Sequence, residues 1–228
     1  MTSAWPRAVL FDLDGTLIDS APDIAAAVNE LLARSGRGPL TVAAVTSMIG
    51  NGVEKLVERA LNATGEPLTP EALEREQTAM LDIYGKHLTG LTTLLPGVPA
   101  ALDALRRDGI RLGLATNKQQ RFIETIFEHF GLSSLFDAVI GGGPGIVKKP
   151  APDMLIAAMK QLGVTSADTV MVGDSTSDVE AARAAGARSV ILRGGGYTSV
   201  PAEQLGADIV IADMTGLSAA LESLKPRS

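Results

Sequence analysis

Ala8-Val9-Leu10-Phe11-Asp12-Leu13-Asp14-Gly15-Thr16 opens on four apolar residues and turns abruptly acidic at Asp12. A short apolar run that ends in a polar turn reads as a strand buried on both faces. Three further runs share that character: Ile110 to Ala115 with Arg111 as its one charge, Phe136 to Ile140, and Thr169 to Val172. Ser189 to Leu192 and Asp208 to Ile211 extend the set to six. Helical stripes lie between them: Phe122, Ile123, Ile126, Phe127 and Phe130 in one interval, and Leu155, Ala158, Met159 and Leu162 in another. Strand alternating with helix predicts an α/β fold, a Rossmann-like doubly wound parallel sheet with helices on both faces.

The first two of these strands are separated by almost a hundred residues without a convincing strand pattern. Ser20-Ala21-Pro22-Asp23 reads as a helix start, an N-cap serine with an acidic residue three positions on. Ile24, Ala27, Val28, Leu31 and Leu32 then form a helical stripe that Ser35-Gly36 ends. Val53, Leu56, Val57, Ala60 and Leu61 repeat the spacing after Gly50-Asn51-Gly52, and Thr69-Pro70 opens a helix expected to reach about His87. A structureless loop of that length does not belong inside a compact domain. The expected organisation is therefore a core of residues 1–17 and 93–228, with an inserted all-helical subdomain over 18–92.

The composition is ordinary for a soluble globular chain of 228 residues, with 46% hydrophobic and 20% charged side chains. Cysteine is absent, which excludes disulfides and thiolate metal sites. No stretch approaches a membrane helix and the first residues carry no signal-like apolar run, so the expected location is the cytoplasm, with no membrane partner. The formal net charge of −6 argues against a nucleic-acid partner. An anionic substrate would need positive charge supplied locally.

In open parallel sheets, ligands sit beyond the carboxyl ends of the strands. Strand one ends in Asp12-Leu13-Asp14, strand two in Thr116-Asn117, and strand four in Gly173-Asp174-Ser175-Thr176-Ser177-Asp178. Four carboxylates converging on one edge repel unless cations neutralise them. A hard divalent ion with oxygen ligands, Mg²⁺ above all, meets that need. Lys149, in Lys148-Lys149-Pro150 after strand three, offers a second, fixed positive charge. Lys148 reads as a solvated surface charge. Asp-x-Asp alone is an ordinary solvated turn; followed by Gly-Thr and joined to three distant motifs, it reads as catalytic.

Taken together and in order, Asp12-Leu13-Asp14-Gly15-Thr16, Thr116, Lys149-Pro150 and Gly173-Asp174-(three residues)-Asp178 resemble the haloacid-dehalogenase superfamily phosphatases. The inserted helical segment is similar to that superfamily's type C1 caps. Within it, Ile49-Gly50-Asn51-Gly52, Leu95-Pro96-Gly97-Val98, Thr116-Asn117-Lys118 and the stretch from Val172 to Gly186 look like bacterial phosphoglycolate phosphatases, while Ala151 and Gly143-Pro144-Gly145 depart from them. The resemblance implies a Mg²⁺-dependent phosphomonoester hydrolase with Asp12 as nucleophile and Asp14 as general acid and base. It implies Mg²⁺ held by Asp12, the backbone carbonyl of Asp14, and Asp174. Thr116, the backbone at Asn117, and Lys149 would bind the phosphoryl oxygens, with Asp178 and Ser175 in support.

The expected substrate is 2-phosphoglycolate, with another small phosphorylated acid or sugar as the alternative. Gly50, Asn51 and Gly52, just before a helix N-terminus, are the expected receptors of its carboxylate. Asp14 argues against a dehalogenase, which has no use for it, and against a phosphonate hydrolase, a class that typically replaces the second aspartate. A phosphosugar mutase would protect its phosphoenzyme from water, and a receiver-like phosphoryl sensor would need no helical cap. The expected assembly is a monomer or homodimer.

Overall fold

The computed structural model describes residues 5–193, 197 and 200–226. In chain order the elements are β1 (Ala8–Phe11), β2 (Ile18–Asp19), α1 (Ala21–Arg34), α2 (Val42–Thr46), α3 (Val53–Thr64) and α4 (Pro70–Tyr84). They continue with β3 (Thr93–Leu94), α5 (Val98–Arg107), β4 (Arg111–Gln119), α6 (Gln120–His129), β5 (Ala138–Gly142) and α7 (Asp153–Leu162). β6 (Thr169–Gly173), α8 (Thr176–Ala185), β7 (Arg188–Leu192), β8 (Ile209–Ile211) and α9 (Leu217–Leu224) complete the chain.

Six strands form one parallel sheet in the order β5-β4-β1-β6-β7-β8. Alternation along β1 sends Val9 and Phe11 to one face and Ala8 and Leu10 to the other. The first pair packs with Leu112, Leu114, Val170 and Val172, and with apolar residues of α1, α5 and α6. The second pair packs with Met154, Leu155 and Ala158 of α7 and Ala181 and Ala182 of α8. Both faces are covered, which is why β1 has no polar residue. Each large side chain so buried contributes about 1.5–3 kcal/mol. The winding reverses beside β1: β4 and β5 build outward on one side, β6, β7 and β8 on the other. The carboxyl ends of β4, β1 and β6 thus border the crevice where such sheets bind ligands.

Element limits differ from the sequence expectation where tertiary contacts intervene. β4 runs four residues past Ala115, through a register shift against β5. Phe136 is not in β5; its ring packs against Phe11 and Phe127, so its apolar character serves ring packing rather than a ladder. Two short strands were not expected. β2 and β3 pair antiparallel, Ile18 with Leu94 and Asp19 with Thr93, so the chain leaves and rejoins the core at adjacent points.

The segment between them is helical. α1 buries the expected stripe of Ile24, Ala27, Val28, Leu31 and Leu32, and it packs against α2, α3 and α4. The capping box expected at Ser20 and Asp23 is absent: Ser20 makes no side-chain cap. The Asp23 carboxylate instead accepts from Leu91 N, Thr92 N and Thr92 Oγ1 at 2.7–3.0 Å, tying the first turn of α1 to the returning chain. A local signature was overridden by better donors brought from 69 residues away. α4 ends at Tyr84 rather than His87, the chain closing in turns after it. The short α2, capped by Thr41 Oγ1 accepting from Ala44 N at 3.2 Å, is too brief for a periodic pattern to reveal. No helix among the described residues is long and apolar enough to cross a membrane.

Candidate active site

Register delivers the site. Phe11 pairs with Leu114 and Val172, so the residues just beyond them, Asp12, Thr116 and Asp174, emerge together at the carboxyl edge. Asp12 is anchored by its own N–H, which donates to Val172 O at 2.9 Å. Gly15 turns the chain back with φ +82°; a Cβ there would fall 2.4 Å from Asp174 Oδ2. Only glycine satisfies both the left-handed backbone and that approach.

Lys149 lies 3% exposed behind Asp12. Its Nζ donates to Asp178 Oδ1 at 2.6 Å and sits 3.0 Å from Asp12 Oδ1. Burial lowers the Lys149 pKa, but Asp12 and Asp178 outweigh it, so the ammonium is held charged. Its backbone is locked by Asn117: Lys149 N donates to Asn117 Oδ1 at 2.9 Å, and Asn117 Nδ2 donates back to Lys149 O at 3.0 Å and to Gly50 O at 3.1 Å. The Asn117 side chain is thus a strut between strand ends and the helical segment. Buried Thr116 accepts from Lys118 N at 3.3 Å.

Asp178 Oδ2 accepts from Asp174 N, Ser175 N and Ser175 Oγ at 2.7–3.2 Å. With Oδ1 on Lys149, Asp178 is fully engaged. It orients Lys149 and closes the turn before α8, and Ser175 serves that turn. Asp174 is looser, accepting from Thr16 Oγ1 at 3.3 Å and Tyr197 N at 3.4 Å.

The residues fit a hard cation. Asp12, Asp174 and Asp178 each present an oxygen within 4.8 Å of the others, all three residues buried. Asp12 Oδ1 is buried and forms an ion pair with the Lys149 ammonium at 3.0 Å, without hydrogen-bond geometry. Burial, opposed by Lys149, pushes the Asp12 pKa up from 3.8 to about 6. Burial and the charges of Asp178 and Asp12 push Asp174 up as well. Two under-compensated carboxylates are what a divalent cation would relieve; Asp178, its oxygens occupied, is a weaker candidate than Asp12 and Asp174.

A cavity opens over this edge. Its floor is Asp12, Asp14, Thr116, Asn117, Lys118, Asp174 and Ser175. Its opposite wall is apolar: Ile24, Ile49, Val53, Leu56, Met80 and Leu81. Gly50 and Gly52 border it, whereas Asn51 does not; its Oδ1 accepts from Arg59 Nη2 at 2.8 Å and its Nδ2 reaches Ser177 Oγ at 3.5 Å. Lys148 is not a free surface charge. It pairs with Glu54 of α3 at 2.5 Å, across the seam between the core and the helical segment.

Three residues that sequence reasoning missed complete the site. Lys118 Nζ donates to Asp14 Oδ1 at 2.7 Å and to Tyr84 Oη at 2.6 Å. Asp14 Oδ1 also accepts from Ser20 Oγ at 2.5 Å. Tyr197 Oη accepts from Ser20 N and Ala21 N and donates to Asp19 Oδ1 at 2.8 Å, holding the neck of the helical segment. Lys118 had a signal: it directly follows Thr116-Asn117 at the carboxyl end of β4. Tyr84 and Tyr197 had none, being placed only by packing.

The family model for haloacid dehalogenase-like hydrolases matches residues 9–192. A phosphoglycolate phosphatase of Pseudomonas putida is 40% identical over 214 residues, covering 93% of this chain and 78% of that one. Another, of Cereibacter sphaeroides, is 43% identical over 201 residues, covering 86% and 89%. Among solved structures, a predicted phosphoglycolate phosphatase from Haemophilus somnus superposes with a TM-score of 0.88 at 30% identity, covering 94% and 97%.

Proposed function

The chain belongs to the haloacid dehalogenase-like hydrolases, and from that premise we propose that it hydrolyses 2-phosphoglycolate to glycolate and phosphate through an aspartyl-phosphate on Asp12. The observation that carries the reading is Asp12 itself. It is a buried carboxylate at a strand end, its Oδ1 paired at 3.0 Å with a fixed lysine, two residues before a second aspartate.

An Asp12 oxygen attacks phosphorus in line; the ester P–O bond breaks and its electron pair goes to the leaving alkoxide. Asp14 gives that oxygen a proton. It then takes a proton from water, whose oxygen attacks the same phosphorus. The bond between Asp12 and phosphorus breaks, inorganic phosphate leaves, and the Asp12 carboxylate is restored. Lys149 and Thr116 hold the phosphoryl oxygens as charge redistributes, with Lys149 steadied by Asp178. Mg²⁺, held by Asp12, Asp174 and the Asp14 carbonyl, would supply the positive charge that lets an anionic nucleophile meet an anionic phosphate.

The helical segment of residues 18–92 acts as a cap that excludes water. The wall it presents is apolar, which favours a small leaving group over a sugar whose hydroxyls would go unpaired there. The test is phosphate release from a panel of small phosphomonoesters with Mg²⁺. The expected outcome is preference for 2-phosphoglycolate and loss of several orders of magnitude in turnover in a folded Asp12→Asn variant. Substantial activity in that variant would sink the mechanism.

A further inference from the structure

Resting on that reading of the substrate, we propose that Lys118 is the residue that receives the substrate's carboxylate and sets the preference for esters of small 2-hydroxy acids. Three observations carry it. First, Lys118 is the one cationic side chain among the described residues lining the cavity, where six apolar side chains of the helical segment form the facing wall. Lys149, the other cation near the site, lies behind Asp12 and is engaged with Asp12 and Asp178.

Second, the ammonium stands at the right place along the substrate. Asp14 must reach the ester oxygen to protonate it, and Lys118 Nζ lies 2.7 Å from Asp14 Oδ1. In a 2-phosphoryloxy acid the carboxylate is attached to the carbon next to that same ester oxygen. A cation touching the proton donor is therefore within reach of a carboxylate two bonds from the oxygen being protonated. A sugar phosphate or alkyl phosphate puts carbon or hydroxyl at that point.

Third, the group is held ready. An ammonium carries three donors, and among the described residues Nζ uses two, on Asp14 and on Tyr84 Oη of α4. The side chain is 4% exposed and also lies 4.7 Å above the Tyr84 ring, so it has little freedom to lose on binding. Because Tyr84 belongs to the helical segment and Asp14 to the sheet edge, the lysine is held from both sides of the cavity. The N-terminus of α3 does not compete well for the role: Gly52 lies against the Lys148–Glu54 pair, where a Cβ would meet Lys148 Nζ at 2.9 Å.

The test uses binding, so that a disturbed proton transfer cannot imitate the effect. In the inert Asp12→Asn background with Mg²⁺, calorimetry would measure 2-phosphoglycolate against 2-hydroxyethyl phosphate, which replaces the carboxylate by CH₂OH. Lys118→Met should weaken the first by about tenfold to a hundredfold, the scale of one lost charge-assisted hydrogen bond. It should leave the second within about threefold, the scatter of a neutral contact. Lys118→Gln, which keeps a donor but no charge, serves as the second variant should the Met variant fail to fold. Equal weakening of both ligands, or of neither, overturns the assignment. Steady-state kinetics on the unmodified chain separates the two levels of the argument. A wild type without preference for 2-phosphoglycolate over 2-hydroxyethyl phosphate overturns the substrate reading and the role of Lys118 with it. A preference that survives Lys118→Met overturns the role of Lys118 alone.

Discussion

Asp12 and Asp14, two residues apart, meet opposite surroundings. Asp12 faces Lys149 and the other buried carboxylates; Asp14 faces Lys118, Ser20 and the cavity. β1 ends at Phe11, and the turn that follows, closed by Thr16 N and Leu17 N on Leu13 O with Gly15 at φ +82°, aims Asp14 away from the direction the strand gives Asp12. The division of labour predicts a leaving-group effect. Asp14→Asn should slow 2-phosphoglycolate by about 10²–10⁴-fold, the usual size of general-acid assistance. It should slow p-nitrophenyl phosphate far less, because nitrophenolate departs without a proton. Parallel kinetics on the two esters decide it, and equal losses would remove the general-acid role from Asp14.

The elements matter through their ends. β4 and β6 place Thr116 and Asp174 because their register with β1 is fixed by buried Leu114 and Val172. At the neck of the helical segment, Asp23 performs the equivalent task, its carboxylate taking two N–H groups and a hydroxyl from Leu91 and Thr92. Asp23→Ala would strand these donors, Thr92 being buried. The expected cost is about 2–3 kcal/mol, read as a lower midpoint in denaturant. Because the carboxylate touches none of the reacting groups, turnover below the unfolding range should be nearly unchanged. A large fall in kcat with stability intact would show that the neck also governs cap motion.

At the scale of the whole molecule, the charge stored at one sheet edge should make stability depend on pH and on cation together. Asp12 rises from 3.8 unfolded to about 6 folded, so the folded protein binds that proton more tightly. Its contribution to stability is present below the unfolded value and is lost as pH rises towards 6. The size is on the order of 3 kcal/mol, and Asp174 shifts in the same direction. Without divalent cation, the melting temperature should therefore fall between about pH 4 and 6. Mg²⁺ competes with protons for these oxygens, so the stabilisation it confers should grow over the same interval. Thermal unfolding with Mg²⁺ or chelator at pH 5 and 7.5 checks this; equal Mg²⁺ stabilisation at both would argue against Asp12 and Asp174 as ligands.

The sequence by itself determined the parallel sheet, since a run such as Ala8–Phe11 is apolar at every position only when both faces are to be covered. It also determined which residues stand at the sheet's carboxyl edge, because polar groups directly after buried strands have one place to go. Tertiary structure decided everything that depends on a partner distant in the chain. Asp23 reads locally as a cap yet bonds to Leu91 and Thr92. Lys148 reads as solvated yet pairs with Glu54. Lys118 reads as part of a strand end yet bridges Asp14 to Tyr84 of α4. Periodicity reports which face of an element is buried, and it carries no record of which other element does the burying. Pairings across 34 to 94 residues are set by how the helical segment folds back onto the sheet, where distance along the chain ceases to matter.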